Sequence, residues 1–400
     1  MLTKISKTMM QQSFRKTKYQ FAEVPKVSLE DNFGIYIHVP FCYSMCSFCP
    51  FYKELYSHQL KDQYIKALQK EIDSCNMTGT AHWVYFGGGT PNTLSIADIT
   101  TIVQHLTHKV TLQTMGIELL PALVTQEYLE GLRTCGFTKI SIGVESFAEA
   151  LDKTGRKTDP PTHIQEIIET AQSEGLWVNT DIMVGLPGQD SKTFLNDIET
   201  ISHMDPDQVT IYPFMTIRGI TTAGNMPEIR QFELIEMACT TLSQSGYTRE
   251  GVWTFAKGND IYDSSRDELV QDYIGFGPAA FSTYNEWKVV NPGLDRYLKN
   301  MNKKMGFIAL KSKTTDDWRK FARMIYDLKC QRSKDVPFPI QLFVWVLDRA
   351  GYCKNSTLTE KGILFAHAIT KTVVESLPFP LQNPECVNNY DEYVLYKSAR

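Results

Sequence analysis

Six strand-like segments separated by helix-like ones occupy the middle of this 400-residue chain, and that alternation most limits what it can fold into. Gly34 to Val39, His82 to Phe86, Gly116 to Leu120, Lys139 to Val144, Trp177 to Val184 and Gln208 to Pro213 read as strands. After the first, Leu60, Tyr64, Ile65, Leu68 and Ile72 recur at helical spacing; Ile96 to Leu106, 125–134, Ile164 to Ser173 and Ser191 to Ile201 read as the later helices. Such a series predicts an α/β fold of parallel βαβ units. Right-handed crossovers then bring every strand's C-terminal end to one face, where barrel active sites collect.

The first strand runs into Cys42, Cys46 and Cys49, a C-x3-C-x2-C. Cysteine thiolate is the usual iron–sulfur ligand, and three thiolates on a cubane [4Fe–4S] cluster leave its fourth iron open to a small molecule. The rival reading is structural zinc, with His38 as a fourth ligand. Zinc commonly takes its ligands as two separated pairs, and Cys75, Cys135, Cys239, Cys330, Cys353 and Cys386 are isolated in sequence.

The second strand ends in Gly87-Gly88-Gly89-Thr90-Pro91, where the backbone can approach a ligand closely. Glu118 closes the third strand, and alone would read as a solvated surface acid. Asp181 lies in so apolar a strand that its carboxylate must be paired or liganded. Arg156 reads equally as a surface cation, Tyr36 as a core aromatic, and His38 as a packed side chain.

With 42% hydrophobic and 22% charged residues, the composition is that of a soluble globular protein. A net charge of −4 gives no support for a nucleic-acid partner. No apolar run is long enough to span a bilayer, and a tight cysteine cluster favours metal in a reducing compartment. Lys4, Lys7, Arg15, Lys16 and Lys18, with no acid among the first twenty-two residues, mark residues 1–30 as a basic tail or an extra strand rather than a presequence. Residues 31–305 are expected to form a catalytic barrel with its extension, and 306–400 a C-terminal domain. A cytoplasmic location is the expectation.

The segment Ile35 to Cys42, with the triplet after it, resembles the radical S-adenosylmethionine (SAM) superfamily. More narrowly it resembles the oxygen-independent coproporphyrinogen III oxidase branch, which also holds haem chaperone-like proteins, anaerobic haem-degrading methyltransferases and class C methyltransferases. The resemblance implies a partial (β/α)6 barrel with a small α-rich, winged-helix-like C-terminal domain. It implies a [4Fe–4S] cluster whose open iron chelates the amino and carboxylate groups of SAM, one or two molecules of which bind. Reductive cleavage would then give a 5′-deoxyadenosyl radical, with a flavodoxin- or ferredoxin-type protein as electron donor.

Roles carry over by motif. The backbone of Gly87, Gly88 and Gly89, with Thr90, would take the amino group, and Glu118 would contact SAM. Ser141 to Phe147 resembles SIGVQSF with Glu145 where Gln is frequent; an ionised Glu accepts but cannot donate. Arg156 matches an arginine near the cofactor carboxylate, Asp181 an acid that binds ribose hydroxyls, and Gly185 a glycine that admits adenine. Tyr36 would stand beside the sulfonium, and Phe48 would shield the cluster and touch adenine. Gly275 to Ser282 resembles a late GxGxxAxS turn, continued by Asn291-Pro292 and Tyr297. Two departures count against the chaperone-like members: Tyr262 to Asp267 holds no histidine, and Pro50-Phe51 follows Cys49. The expected reaction is class C-type methyl transfer to, or oxidation of, a planar conjugated small molecule such as a tetrapyrrole, quinone or heteroaromatic. Oxidation of coproporphyrinogen III and haem binding without turnover are the alternatives.

Overall fold

The computed structural model describes residues 2–15, 18–216, 226–258, 271–299, 304–329 and 338–376. Six parallel strands form its centre: β1 (Phe33–Val39), β2 (Thr80–Gly88), β3 (Thr111–Leu119), β4 (Lys139–Glu145), β5 (Trp177–Val184) and β6 (Gln208–Pro213). The connecting helices are α1 (His58–Ser74), α2 (Ile96–Thr107), α3 (Gln126–Thr134), α4 (Pro161–Ser173) and α5 (Ser191–Met204), and α6 (Glu228–Gln244) follows β6. β3 begins five residues before its apolar run, because Thr111–Thr114 pair with β2 while their side chains stay partly in water.

Local chemistry starts these helices. Ser95 and Asp98 form a reciprocal capping box on α2, and Asp190 accepts from the Thr193 amide to open α5. The apolar stripe of α1 (Tyr64, Ile65, Leu68, Ile72) is buried against the sheet, which is covered on its outer face as parallel sheets require.

Tyr273–Phe276 joins β1 in parallel, and Phe281–Tyr284, Trp287–Val290, Met305–Leu310 and Gln20–Glu23 continue antiparallel. Beyond β6, Thr254–Ala256 and Thr248–Arg249 end the other side. The described sheet is thus an open partial barrel with different strands at its two edges. The late glycine turn serves this packing: Gly277 N and Asn291 Nδ2 donate to Glu71 of α1, and so does the Tyr297 hydroxyl.

The expected basic tail is instead largely ordered. Leu2–Arg15 is a helix against Glu360–Glu375, with Met10 fully buried and Lys7 Nζ 2.8 Å from Glu228 Oε1. The C-terminal segment holds helices Lys313–Tyr326, Phe338–Arg349 and Glu360–Glu375 and a short ladder of Cys353–Lys354 with Thr357–Leu358. Cys353 is disulfide-bonded. Tyr262 to Asp267 also lies outside them. Among the described residues no helix is long and apolar enough to cross a membrane.

Candidate functional site

Near the C-terminal ends of otherwise buried strands, Tyr36 (β1), Glu118 (β3), Gly143 and Glu145 (β4), Asp181 (β5) and Tyr212 (β6) are only half-buried. Contacts join several of them in groups on neighbouring strands. The Tyr36 and Tyr85 rings stack with centroids 6.4 Å apart, and Tyr85 Oη donates to Glu118 Oε1 at 2.9 Å. The Gly88 amide donates to Glu118 Oε2 at 3.3 Å. Ser141 Oγ donates to Asp181 Oδ2 at 2.6 Å, and Asn179 Nδ2 donates to Asp181 Oδ1 at 2.9 Å. The expectation that Asp181 needs partners is met by the protein itself.

Tyr36 Oη lies 3.2 Å from His38 Nδ1, and His38 Nε2 lies 3.0 Å from the Tyr52 carbonyl. A carbonyl only accepts, so Nε2 carries the proton and Nδ1 accepts from the tyrosine. Burial lowers the His38 pKa to about 4. With both nitrogens engaged, His38 is not available as a zinc ligand.

The glycine turn lies between these groups. A Cβ on Gly87 would meet Glu118 Oε1 and the Tyr36 ring at 3.1 Å each, and one on Gly89 would meet the Pro40 and Phe41 backbone at 2.8 Å. Gly88 has φ +113 and faces the His38 ring. Thr90 Oγ1 lies 3.4 Å from Cys42 Sγ, tying the turn to the cysteine loop.

That loop is anchored by the pairing of Phe41–Cys42 with Glu54–Leu55 and by Ser47 N to Thr154 O at 2.8 Å. Burial raises all three thiols, Cys49 to about 11, while Lys53 and Arg156 draw Cys42 and Cys46 the other way. Metal loading must therefore displace thiol protons. Among the described residues, no three His, Cys, Asp or Glu side chains converge on a single-ion site. Phe48 is buried with Leu151, Met183, Leu186 and Phe214, against Cys46, Cys49 and Tyr212.

Glu145 has φ +65, a conformation that costs a non-glycine residue about 1–3 kcal/mol and recurs at ligand sites. Burial pushes its carboxyl up to about 7, with Arg156 opposing the shift. Arg156 donates to the Gly143 carbonyl through Nη2, while its buried Nε has no partner among the described residues. Gly185 has φ +93, and a Cβ there would meet Gln231 at 2.6 Å.

Other motif residues prove to be scaffold. Gln189 Oε1 accepts from Gly185 N at 2.7 Å, and Asp197 of α5 accepts from Ser146 Oγ at 2.6 Å and Phe147 N at 3.2 Å. Sequence reasoning missed Tyr85, Asn179 and Tyr212. Tyr85 carries a signal, since it precedes Gly87 by two and so faces the same side of β2.

An open barrel with three thiols, a glycine cradle and a wall of acids at its strand ends is the arrangement of one known class, and sequence comparison agrees. Residues 36–201 match the model of the radical SAM superfamily. The relatives it matches include oxygen-independent coproporphyrinogen III oxidases, a heme chaperone and an anaerobilin synthase. It is 25% identical over 307 residues to the oxygen-independent coproporphyrinogen III oxidase of Salmonella typhimurium, covering 69% of this chain and 66% of that relative. It is 27% identical to the heme chaperone HemW of Bacillus subtilis (68% of this chain, 76% of the relative) and 30% identical to the anaerobilin synthase of Escherichia coli O157:H7 (53% and 52%). The chain therefore spans about two thirds of the length of the coproporphyrinogen oxidase it matches. In fold it is similar to coproporphyrinogen III oxidase (HemN) from Escherichia coli, with a TM-score of 0.70 at 21% identity over 92% of this chain and 93% of that one.

The superfamily's cofactors are a [4Fe–4S] cluster and SAM, and the residues present fit both. Three cysteines on one short loop suit a cluster, whose usual ligand is cysteine thiolate. The glycine cradle and the unpartnered Arg156 Nε suit an amino-acid end group.

Proposed function

We propose that the chain is a radical SAM enzyme acting on a planar, conjugated small molecule such as a tetrapyrrole, quinone or heteroaromatic, by class C-type methyl transfer or by oxidation. The observation that most supports this is the set of half-buried groups on neighbouring strands, Tyr36, Tyr85 and Glu118 in one series and Asp181 with Glu145 in another, the last of them close to Cys46 of the cysteine loop. When bound, the cluster supplies an electron to the SAM sulfonium, whose cleavage gives methionine and a 5′-deoxyadenosyl radical. Cys42, Cys46 and Cys49 would hold three irons. The backbone of Gly87, Gly88 and Gly89, with Thr90 and Glu118, would take the amino group, and Arg156 the carboxylate. Asp181 would accept from ribose hydroxyls, and Gly185 would leave room for adenine against Phe48. Tyr36 would stand beside the sulfonium, its proton directed at His38.

Glu145 answers the departure from the family's Gln. With its carboxyl raised to about 7, the side chain carries a proton in a substantial fraction of molecules near neutrality and can then donate as Gln does. A flavodoxin- or ferredoxin-type protein would deliver the electron.

Coproporphyrinogen III oxidation remains a second reading, supported by the named function of the Salmonella relative. Against it, four propionates need several cations, and Arg156 beside the cysteines is the one this reading gives to the SAM carboxylate.

The test is anaerobic reconstitution followed by dithionite and SAM. 5′-Deoxyadenosine that disappears in Cys46→Ala supports the radical enzyme, and S-adenosylhomocysteine alongside it supports methyl transfer. About four irons per chain with no SAM cleavage, and a Soret shift on haem titration, would overturn the reading in favour of haem binding.

A further inference from the structure

Cys75 and Lys304 lie 229 residues apart in the chain, yet Lys304 Nζ is 3.0 Å from Cys75 Sγ. Cys75 closes α1, where its amide donates to the Ile72 carbonyl at 3.1 Å, and it is only 4% exposed. Lys304 precedes the strand Met305–Leu310, and its carbonyl accepts from Val24 N at 2.7 Å. Both backbones are thus anchored, and the fold itself sets the contact. The function proposed above uses neither residue.

An ammonium ordinarily seeks a carboxylate, since sulfur is a weak acceptor. Glu71 is at hand, but its Oε1 stays 3.9 Å from Lys304 Nζ. Its oxygens are already taken: Asn291 Nδ2 donates to Oε1 at 2.8 Å, and Gly277 N and the Tyr297 hydroxyl donate to Oε2 at 2.9 and 2.6 Å. The amine is left nearest the thiol. Beside it is a cavity of about 40 Å³ lined by Glu71, Ser74, Asn291, Tyr297 and Lys304. A water needs roughly 15 Å³, so a diatomic molecule fits. The Lys304 side chain is 27% exposed, which leaves a path from solvent to the pair.

We propose that Cys75 and Lys304 form a modification site, at which dioxygen joins them through a covalent N–O–S bridge. The S–H bond, one N–H bond of the neutral amine and the O–O bond break, and S–O and N–O bonds form. One oxygen atom stays in the bridge, and the other leaves as water with the two hydrogens. Sulfur and nitrogen each give up an electron pair, and dioxygen takes up both pairs. Oxidised cysteine sulfur condenses with a thiol or nitrogen within reach, and the group within reach here is Lys304. A dithiol reverses the step, returning thiol, amine and water as it becomes a disulfide. The bridge ties the end of α1 to the strand Met305–Leu310, and so fastens the first barrel helix to the antiparallel extension of the sheet. None of this depends on what the three loop cysteines hold.

The experiment uses the full chain purified anaerobically, then either kept so or exposed to oxygenated buffer, and digested for mass spectrometry. Exposed protein should yield the Cys75 and Lys304 peptides joined, heavier than their sum by one oxygen and lighter by two hydrogens. Isotopically heavy dioxygen should put one heavy oxygen in the bridge, and dithiothreitol should restore the separate peptides. Cys75 should lose alkylation and Lys304 should lose amine labelling in step. Lys304→Arg keeps a cation and Cys75→Ser keeps a polar side chain, and each should abolish the joined peptide. Cys75 that stays fully alkylated after exposure would overturn the proposal. So would sulfenic acid or a mixed disulfide at Cys75 with the Lys304 amine still free. Joined peptides from urea-unfolded protein exposed in the same way would also overturn it, because the fold would then not select the pair. These readings on the parent protein decide the matter even where a variant fails to fold.

Discussion

Tyr85 holds Glu118 from the neighbouring strand: its hydroxyl donates to Oε1 at 2.9 Å, and the carboxylate's other oxygen takes the Gly88 amide at 3.3 Å. A carboxylate with both oxygens engaged on one side keeps one orientation, and here that orientation borders the glycine cradle.

Replacing Tyr85 by Phe removes one of those donors while keeping the ring that stacks on Tyr36. We expect a stability loss of about 1 kcal/mol and a several-fold weaker affinity for SAM. Thermal unfolding and equilibrium dialysis of SAM on reconstituted protein would check it. An unchanged SAM affinity would show that the Tyr85 contact does not organise the site.

Gly88→Ala meets two obstacles. The backbone has φ +113, and the added Cβ would lie 2.7 Å from the His38 ring. Backbone strain alone costs about 1–3 kcal/mol, and displacing His38 breaks its bond to the Tyr52 carbonyl. Gly258→Ala is the control, because its φ of +77 brings strain with nothing within 4 Å. Gly88→Ala should destabilise more than Gly258→Ala by urea unfolding, and it alone should abolish SAM cleavage.

Glu145 makes the cofactor-free protein sensitive to alkali. Burial raises its carboxyl from 4.5 to about 7, so folding favours the protonated form. The contribution is fully present below about pH 4.5 and is lost as pH rises through about 7. Glu145→Gln should flatten the pH dependence of unfolding over that interval and retain SAM cleavage, while Glu145→Ala should lose cleavage. A parallel pH dependence in parent and Gln variant would contradict the assignment.

His367 gives the opposite sign. Trp253 Nε1 donates to its Nδ1 at 3.0 Å, so Nε2 carries the proton toward Glu236 at 2.7 Å; Arg249 and the stacked Phe232 complete its surroundings. Burial lowers its pKa from 6.5, with Arg249 adding to that and Glu236 opposing it. This stability is present above pH 6.5 and falls as acid protonates Nδ1 against the indole N–H. Mild acid should increase amide exchange in Glu360–Glu375 before global unfolding, and His367→Gln should reduce that response.

The partial barrel and the site's ligand types were legible because near neighbours in sequence encode them. Apolar spacing names the strands and helices, three glycines mark a close backbone approach, and the spacing of Cys42, Cys46 and Cys49 puts three thiols on one loop. Asp181 shows where that reading stops. Its apolar strand demands a partner; Asn179 lies two residues away on the same strand, but Ser141 as the other answer depends on the register of β4 against β5. The same holds for Tyr85 with Glu118, thirty-three residues apart.

Position along the chain and local pattern thus determined that this protein is an α/β cluster-loop fold with its chemistry at the strand ends. Tertiary structure alone decided which side chains are half-buried at the strand ends and which brace them. Gln189 lies in the motif around Gly185 yet holds a loop, whereas Tyr212 lies in none and packs against Phe48. The first helix, read as a loose tail, found its partner in Glu360–Glu375 at the far end of the chain. Burial and pairing across such separations are collective, and no window of sequence contains both partners.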